Sequence, residues 1–310
     1  RGLLRELRPD VVHSFTHQPN ILCRLASPAG AVLVNSVTGL GSCFLGRGAR
    51  GAALRGLFHL LYRATASRAR AVVFQNRDDL EHFTAHRLLG PARPVLVRGT
   101  GVDTRAFRPG LLGPEERDAL RAELGLAPGQ VAATLAARLL RDKGVFEFLE
   151  AARLLAPRFP DLRFVLVGEA DPGNPTSLSP ADMDAARATG NVLFAGWRTD
   201  MDRVWAASDV AVLPSFREGL PVSLQEALAC GLPAVATDVP GCREVVDPER
   251  NGLLVPVRDG AALAAALGRL AGDPGLRVRM GEAGRAKALA EFDAAALAGR
   301  LAALHDSLLE

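Results

Sequence analysis

Two glutamates eight positions apart, Glu218 and Glu226, bracket a Gly-Leu-Pro turn in PSFREGLPVSLQEALACGLPAVATD, residues 214–238. An apolar run, Asp209–Leu213, predicts a strand that ends at Pro214-Ser215. Pro221 suits the first turn of a helix running to about Cys230, where Gly231 stops it. Glu218 then stands in the loop before the helix and Glu226 in its second turn. Backbone N–H groups at a helix start lack intrahelical acceptors, so Gly219, Leu220, Pro221 and Val222 are expected to form an anion site. Gly219 removes the Cβ that would keep a phosphate away. Carboxylates do not bind phosphate. Placed beside one, they are suited to accept hydrogen bonds from hydroxyls, and a diphosphate flanked by sugar hydroxyls is a nucleotide-sugar. The structural alternative for Glu218 is simple capping of the helix that follows.

A second segment supplies cations. In ATLAARLLRDKG, Arg138 follows the run Val131–Ala137, and Lys143-Gly144 comes five residues later at a helix start. Open α/β sheets bind ligands beyond the carboxyl ends of their strands. Two fixed cations there would neutralise the charge that develops on a leaving diphosphate.

The elements that must position these groups are legible as short apolar runs alternating with helical patterns. Strands are predicted at Val11–Phe15, Ala31–Val37, Ala71–Gln75 and Pro94–Arg98. Further strands are expected at Val131–Ala137, Arg163–Val167, Asn191–Ala195, Asp209–Leu213, Ala234–Thr237 and Gly252–Val255. This order predicts an α/β chain with parallel sheets. The Pro-, Gly- and charge-rich stretch Phe107–Gln130 marks a domain edge, placed near Arg108. The expected division is a partial N-terminal domain over 1–108, a ligand-binding domain over 109–290, and a final helix over 291–310 that packs back on the body. Asp259, Asp273 and Asp293 are expected to cap the last three helices. The chain opens on Arg1 with the pattern of a helix tail, so an upstream segment is expected and the N-terminal domain is expected to be truncated.

The combination of Glu218/Glu226, EGLP, EALACGLPAVATDVPGCREVV, Arg138/Lys143, FVLVGE and NVLFAGW, spread over about Leu135–Pro256, resembles retaining glycosyltransferases of family 4. That resemblance implies a GT-B fold of two facing Rossmann-like domains. It implies that Glu226 holds the donor ribose, while Glu218 contacts the transferred sugar and stabilises charge near its anomeric carbon. Arg138 and Lys143 would grip the diphosphate, Gly168 would let the nucleotide approach the backbone, and no catalytic metal or other cofactor would be needed. PDVVHSFTHQPNILCRLA, VNSVTGLGSCF, VVFQNRDDLEHF and GVDTRAFRP resemble the bacterial subgroup that works on polyprenyl-diphosphate-linked sugars. The implied donor is a UDP-HexNAc or UDP-hexose and the implied acceptor a lipid-linked glycan, met at the inner face of the bacterial plasma membrane. Two features depart from many relatives: the Gly-Gly loop after the first strand of the N-terminal domain is not found, since the chain is expected to begin after it, and Thr38 stands where a histidine is common. The lipid-linked subgroup resembles this chain in having that threonine.

On the acceptor side, His13 and His17 flank a predicted strand end, as cleft-lining groups or as local hydrogen-bonding and packing groups. Thr38 and Gly39 open the turn TGLGS, facing an acceptor or merely connecting. Residues 46–71 mix Arg47, Arg50, Arg55, Arg63, Arg68 and Arg70 with Leu57, Phe58, Leu60, Leu61 and Tyr62. This is the pattern of an interfacial helix on anionic lipid, or of a surface helix with a buried stripe. Arg198 and Asp200 sit near the nucleotide base or in a surface turn.

Composition sets the outer bounds. The 310 residues are 48% hydrophobic and 23% charged, with a formal net charge of +3, an ordinary globular mix that gives no support to nucleic-acid binding. No run of about 18 uncharged apolar residues occurs, so no transmembrane helix is expected. The four cysteines form no close-spaced set, so free buried thiols and no metal site are expected. Three rival readings remain at this stage: a donor-binding module without turnover, a nucleotide-sugar epimerase of similar two-domain plan, and a dinucleotide-dependent oxidoreductase. The last would need a G-x-G-x-x-G that TGLGS fits poorly.

Overall fold

A computed structural model of the chain describes residues 2–28, 30–40, 44, 48–171 and 173–310. By contacts the chain divides into two compact units. The first comprises Arg1–Gly101, Glu218–Leu220 and Ala294–Glu310; the second comprises Val102–Arg217 and Pro221–Asp293. The division falls after Gly101, ahead of the Arg108 edge expected from composition.

The first unit begins α1 (Gly2–Leu7), β1 (Val11–Phe15), α2 (His17–Ala26), β2 (Val32–Val37) and α3 (Gly48–Thr65). It continues with β3 (Ala71–Phe74), α4 (Arg77–Ala85) and β4 (Arg93–Leu96). Its strands form one parallel sheet in the order β1-β2-β3-β4. Parallel strands are covered on both faces. One face buries Val37, Val72 and Phe74 against Phe58, Tyr62 and Phe83. The other buries Val34, Ala71 and Val73 against Leu297 and Leu304, which lie on the last helix, Ala294–Leu309. A buried polar network links the layers: Arg24 donates from Nε to Asn35 Oδ1 at 2.6 Å, and its guanidinium lies 4.7 Å from the Tyr62 ring.

The second unit runs α5 (Pro114–Glu123), β5 (Val131–Ala136), α6 (Val145–Leu155), β6 (Leu162–Val167), α7 (Pro180–Arg187) and β7 (Val192–Gly196). It goes on through α8 (Met201–Ala207), β8 (Val210–Leu213), α9 (Val222–Ala229), β9 (Ala234–Thr237) and α10 (Cys242–Val245). It ends with β10 (Gly252–Val255), α11 (Gly260–Gly272) and α12 (Pro274–Glu291). The last helix of the first unit, Ala294–Leu309, is α13. The second sheet is also parallel, ordered β10-β9-β8-β5-β6-β7. Alternate residues of β5 point to opposite layers. Ala133 and Leu135 join Phe148 and Leu267, whereas Ala132 packs with Leu120, Val204 and Ala207. All ten predicted strands are present, with ends shifted by a residue or two. Asp259 and Asp273 cap α11 and α12, accepting from the N–H groups of Ala262 and Leu276, each at 2.8 Å. Asp293 precedes α13, and its carboxylate accepts from Thr104 Oγ1 at 2.6 Å.

Helix α12 crosses the end of α9 at a glycine: a Cβ on Gly281 would lie 2.0 Å from the Gly231 carbonyl oxygen. Alanine favours a helix over glycine by about 1 kcal/mol, but here the steric term should prevail. Gly281→Ala is expected to lower the thermal midpoint. Gly299→Ala in α13, with nothing within 4 Å of the new methyl, is expected to raise it. Thermal unfolding of the two variants checks the opposite signs.

Candidate active site

In the second sheet the chain moves outward from β5 through β6 to β7, then returns to the other side of β5 and moves outward through β8 to β10. The switch point is the β5/β8 pair, and open α/β sheets bind ligands in the crevice beyond such a point. The loop after β5 carries Arg138 and Lys143, and the loop after β8 leads to α9 and Glu226. The two loops touch. Phe216 N–H donates to the Asp142 carbonyl at 2.9 Å, and Gly144 packs so closely on Pro214 that a Cβ would lie 2.0 Å from its carbonyl oxygen. Gly144 has φ of +73°, which also selects glycine. The Thr237 hydroxyl donates to the Ser215 carbonyl, joining the β9 edge to the same cluster.

Gly168, at the end of β6, belongs to this edge. Its N–H donates to the Gly196 carbonyl at 2.8 Å, and a Cβ there would lie 2.0 Å from the Ala137 carbonyl oxygen. The neighbouring backbone therefore requires glycine here, a packing constraint that stands beside the expected approach of a nucleotide. Arg138 is exposed and Lys143 half-buried, in a short 3-10 turn, Arg141–Lys143.

Helix α9 starts at Val222 with Pro221 as its N-cap residue, and Gly231 closes it at φ +79°. Of the expected anion-binding stretch only Val222 is helical, and proline has no N–H. The helix-start donors are accordingly those of Val222, Ser223 and Leu224. Val222 is exposed, while Leu220 and Pro221 are buried. Glu226 is half-buried on α9, where Trp205 of α8 donates from Nε1 to Glu226 Oε2 at 3.1 Å. Burial holds its carboxyl above the ordinary glutamate range, the Trp205 bond opposes this, and Asp202 adds to the rise. Burial and then the Glu226 charge push the Cys230 thiol up to about 12.

Glu218, Gly219 and Leu220 fall by contacts in the first unit. Asn76, the N-cap of α4, donates from Nδ2 to the Gly219 carbonyl at 2.7 Å while its Oδ1 accepts from Asp79 N–H at 2.8 Å. A Cβ on Gly219 would lie 1.8 Å from the Thr38 carbonyl oxygen, and one on Gly39 would lie 3.0 Å from Gly219 Cα. Another backbone thus occupies the side of Gly219, a packing constraint that stands beside the expected phosphate approach. Glu218 is half-buried.

The remaining expected groups separate. His13 contacts Ser36 Oγ through Nε2 at 2.8 Å and His305 through Nδ1 at 3.1 Å. Burial, reinforced by His305, holds its imidazole down at about 4, so it is neutral near pH 7. His17 approaches the Tyr62 hydroxyl at 3.4 Å and packs edge-on against Phe58. Of TGLGS, Gly41 and Ser42 lie outside the described residues, as do Gly46 and Arg47 of the 46–71 stretch and the side chain of Arg50. Helix α3 exposes Leu54, Leu57, Leu60 and Leu61 but buries Phe58 and Tyr62, which correct two of the side chains expected at a lipid edge. Arg68 is also reassigned: it donates to the carbonyls of Arg24 and Ser27. Arg198 forms a two-pronged pair with Asp200, at 2.8 and 2.7 Å, and a further bond to Glu123, a surface-turn arrangement. Cys230 and Cys242 are buried and Cys23 is half-buried, and Cys43 lies outside the described residues. Sequence reading missed Asn76 and Trp205. The first was signalled by Asn before an acidic helix start in QNRDD, the second by a lone tryptophan one helix ahead of Glu226. It also missed His59, His82 and His86, whose ring nitrogens lie within 4.8 Å of one another despite the expectation of no close-spaced ligand set. Only the i,i+4 spacing of His82 and His86 hinted at it.

Two parallel sheets with interleaved helices, one with its loop cluster at a switch point, are the architecture of the GT-B fold class. "Glycosyl transferases group 1" matches residues 116–287 and "Glycosyl transferase 4-like domain" matches residues 1–101. The chain belongs to the group 1 glycosyltransferase family. It is 28% identical over 310 residues to a Campylobacter jejuni N,N'-diacetylbacillosaminyl-diphospho-undecaprenol alpha-1,3-N-acetylgalactosaminyltransferase, covering 99% of this chain and 80% of the relative. It is 28% identical over 281 residues to an Escherichia coli UDP-Gal:alpha-D-GlcNAc-diphosphoundecaprenol alpha-1,3-galactosyltransferase, covering 89% and 70%. Among solved structures, Anabaena HepE in complex with UDP aligns with a TM-score of 0.83 at 20% identity, covering 99% of this chain and 81% of that one. Sucrose-phosphate synthase from Thermosynechococcus elongatus aligns at 0.82 and 23%, covering 99% and 75%. These structural likenesses establish the fold. No described helix is long and apolar enough to cross a membrane.

The raised Glu226 carboxyl has a stability consequence. The folded state holds this proton more tightly than the unfolded state. Stability is therefore fullest below the ordinary glutamate range and declines as pH rises through the elevated folded value. Glu226→Gln keeps an acceptor for Trp205 and removes the charge. It should raise the thermal midpoint of the ligand-free chain at pH 8, with the gain shrinking toward pH 4; melting curves across that range test the sign.

Proposed function

We propose that this glycosyltransferase moves a sugar, with retention of anomeric configuration, from a UDP-linked HexNAc or hexose to a lipid-linked glycan in bacterial surface-glycan assembly. The observation that carries the reading is the pairing at the β5/β8 switch point. There the Arg138–Lys143 loop packs on Pro214–Phe216, the loop that leads to Glu226. The activities for which the C. jejuni and E. coli relatives are named, both on diphosphoundecaprenol-linked substrates, support the acceptor class.

In this reading Glu226 accepts hydrogen bonds from the ribose hydroxyls, and the N–H groups at the start of α9 with Arg138 and Lys143 hold the diphosphate. The bond from the anomeric carbon to the β-phosphate oxygen breaks, and its electron pair leaves with the diphosphate. The two cations meet that charge without a metal ion. An acceptor hydroxyl bonds to the anomeric carbon on the face the diphosphate leaves, and its proton passes to solvent or to the departing phosphate. Glu218 stabilises the positive charge at the anomeric carbon. The exposed leucines of α3, with Arg55 and Arg63 beside them, rest on the anionic inner leaflet where the acceptor resides. The enzyme is accordingly cytoplasmic and peripheral on that membrane.

Transfer from labelled UDP-sugars to undecaprenyl-diphosphate-linked acceptors in anionic vesicles tests this. The expected product keeps the donor's anomeric configuration by NMR. Glu218→Gln should lower kcat by about a hundredfold or more with a smaller change in KM. Leu57→Glu with Leu60→Glu should lower transfer in vesicles but not to a short-chain, detergent-soluble acceptor. An inverted linkage, or use of GDP- or ADP-sugars alone, would contradict the proposal.

A further inference from the structure

Three of the chain's six histidines converge in the first unit, and none has a part in the proposed sugar transfer. His82 and His86 lie four residues apart at the end of α4 and share one face. His59 comes from α3. The nitrogens of all three lie within 4.8 Å of one another, with His59 Nε2 and His82 Nε2 at 3.0 Å. A tetrahedral ion with metal–nitrogen bonds of about 2.0–2.1 Å spaces its ligand atoms about 3.3 Å apart. The His59–His82 pair stands near that spacing.

The surroundings fit ligands better than a chance surface cluster. His86 Nδ1 lies 2.9 Å from the His82 carbonyl oxygen, which can only accept, so Nδ1 carries the proton and Nε2 presents a lone pair. Ligating histidines are commonly oriented by such a bond. Arg63 donates from Nε and a terminal nitrogen, at 3.0 and 2.9 Å, to the His86 carbonyl, tying α3 to the end of α4. Phe44 stands edge-on to His82 and Phe58 edge-on to His59, giving the site apolar walls. All three residues are half-buried.

We propose that His59, His82 and His86 form a tris-imidazole site for a divalent late first-row metal, Zn2+ foremost, that clamps α3 to α4. The site is structural and separate from the transfer step. Arg55 and Arg63 oppose a dication, and salt screens these partly exposed charges, so binding in the micromolar range is expected.

The test uses the tagless, metal-free full chain, titrated with Zn2+ by calorimetry and with Co2+ by visible absorption. One Zn2+ per chain, a higher thermal midpoint and the intense visible bands of tetrahedral Co2+ are expected. Affinity should fall about tenfold or more in His59→Asn and in His86→Asn, while His305→Asn retains it. X-ray absorption of the Zn2+-loaded native chain gives a check free of variants: a first shell of imidazole nitrogens and light atoms without sulfur. No saturable binding at micromolar Zn2+, undiminished affinity in both site variants, an equal loss in His305→Asn, or a sulfur ligand would each overturn the site.

Discussion

The carbonyl oxygens of Pro214 and Ala137 occupy the space that side chains would take at Gly144 and Gly168, each 2.0 Å from where a Cβ would stand. Everything proposed for the active site depends on these two contacts. They let the loops after β5, β6 and β8 stack on one another at the carboxyl edge of the sheet, and they fix the backbone that bears Arg138 and Lys143. Any larger residue would wedge the loops apart. The strain of φ values of +73° and +134° at those positions is one only glycine carries at little cost.

Glu226 shows the other side of the same design. Its half-buried position beside Trp205 makes its charge unfavourable in the empty protein. A group held at such a cost is poised to accept hydrogen bonds from hydroxyls that bring no counter-charge, which is what a ribose offers. The exposed Arg138 and half-buried Lys143 behave differently. In the proposed reading they meet the multiple charge of a diphosphate. Under the proposed function, the half-buried carboxylate and the two cations divide recognition between the nucleoside and its phosphates.

Much of the fold was legible because parallel strands buried on both faces leave continuous β-branched runs, and because Asp259 and Asp273 mark helix starts by a local side-chain bond. The pairing of Arg138 and Lys143 with the loop toward Glu226 was legible for the same reason, since each follows a strand. What stayed hidden depended on contacts distant in sequence. The packing constraints at Gly168 and Gly219 were hidden because nothing local reveals that Ala137 or Thr38 backbone fills the space beside them. The mixed face of α3 could not be sorted by pattern: Phe58 and Tyr62 turn into the core while Leu57 and Leu60 turn out, and Arg68 is consumed by carbonyls of the α2 end. The His59–His82–His86 cluster joins two helices, so only the His82/His86 half left a trace in spacing.

The central claim is that recognition is divided between Glu226 for the nucleoside and Arg138 with Lys143 for the diphosphate. Calorimetric titration of uridine and of UDP into the native chain, Glu226→Ala and Arg138→Ala tests it most directly. The account predicts that Glu226→Ala weakens both ligands by about 1–3 kcal/mol, the worth of a lost charged hydrogen-bond partner. Arg138→Ala should weaken UDP alone and leave uridine unchanged. Equal binding of UDP by the native chain and Glu226→Ala, or equal losses for uridine and UDP in Arg138→Ala, would contradict it.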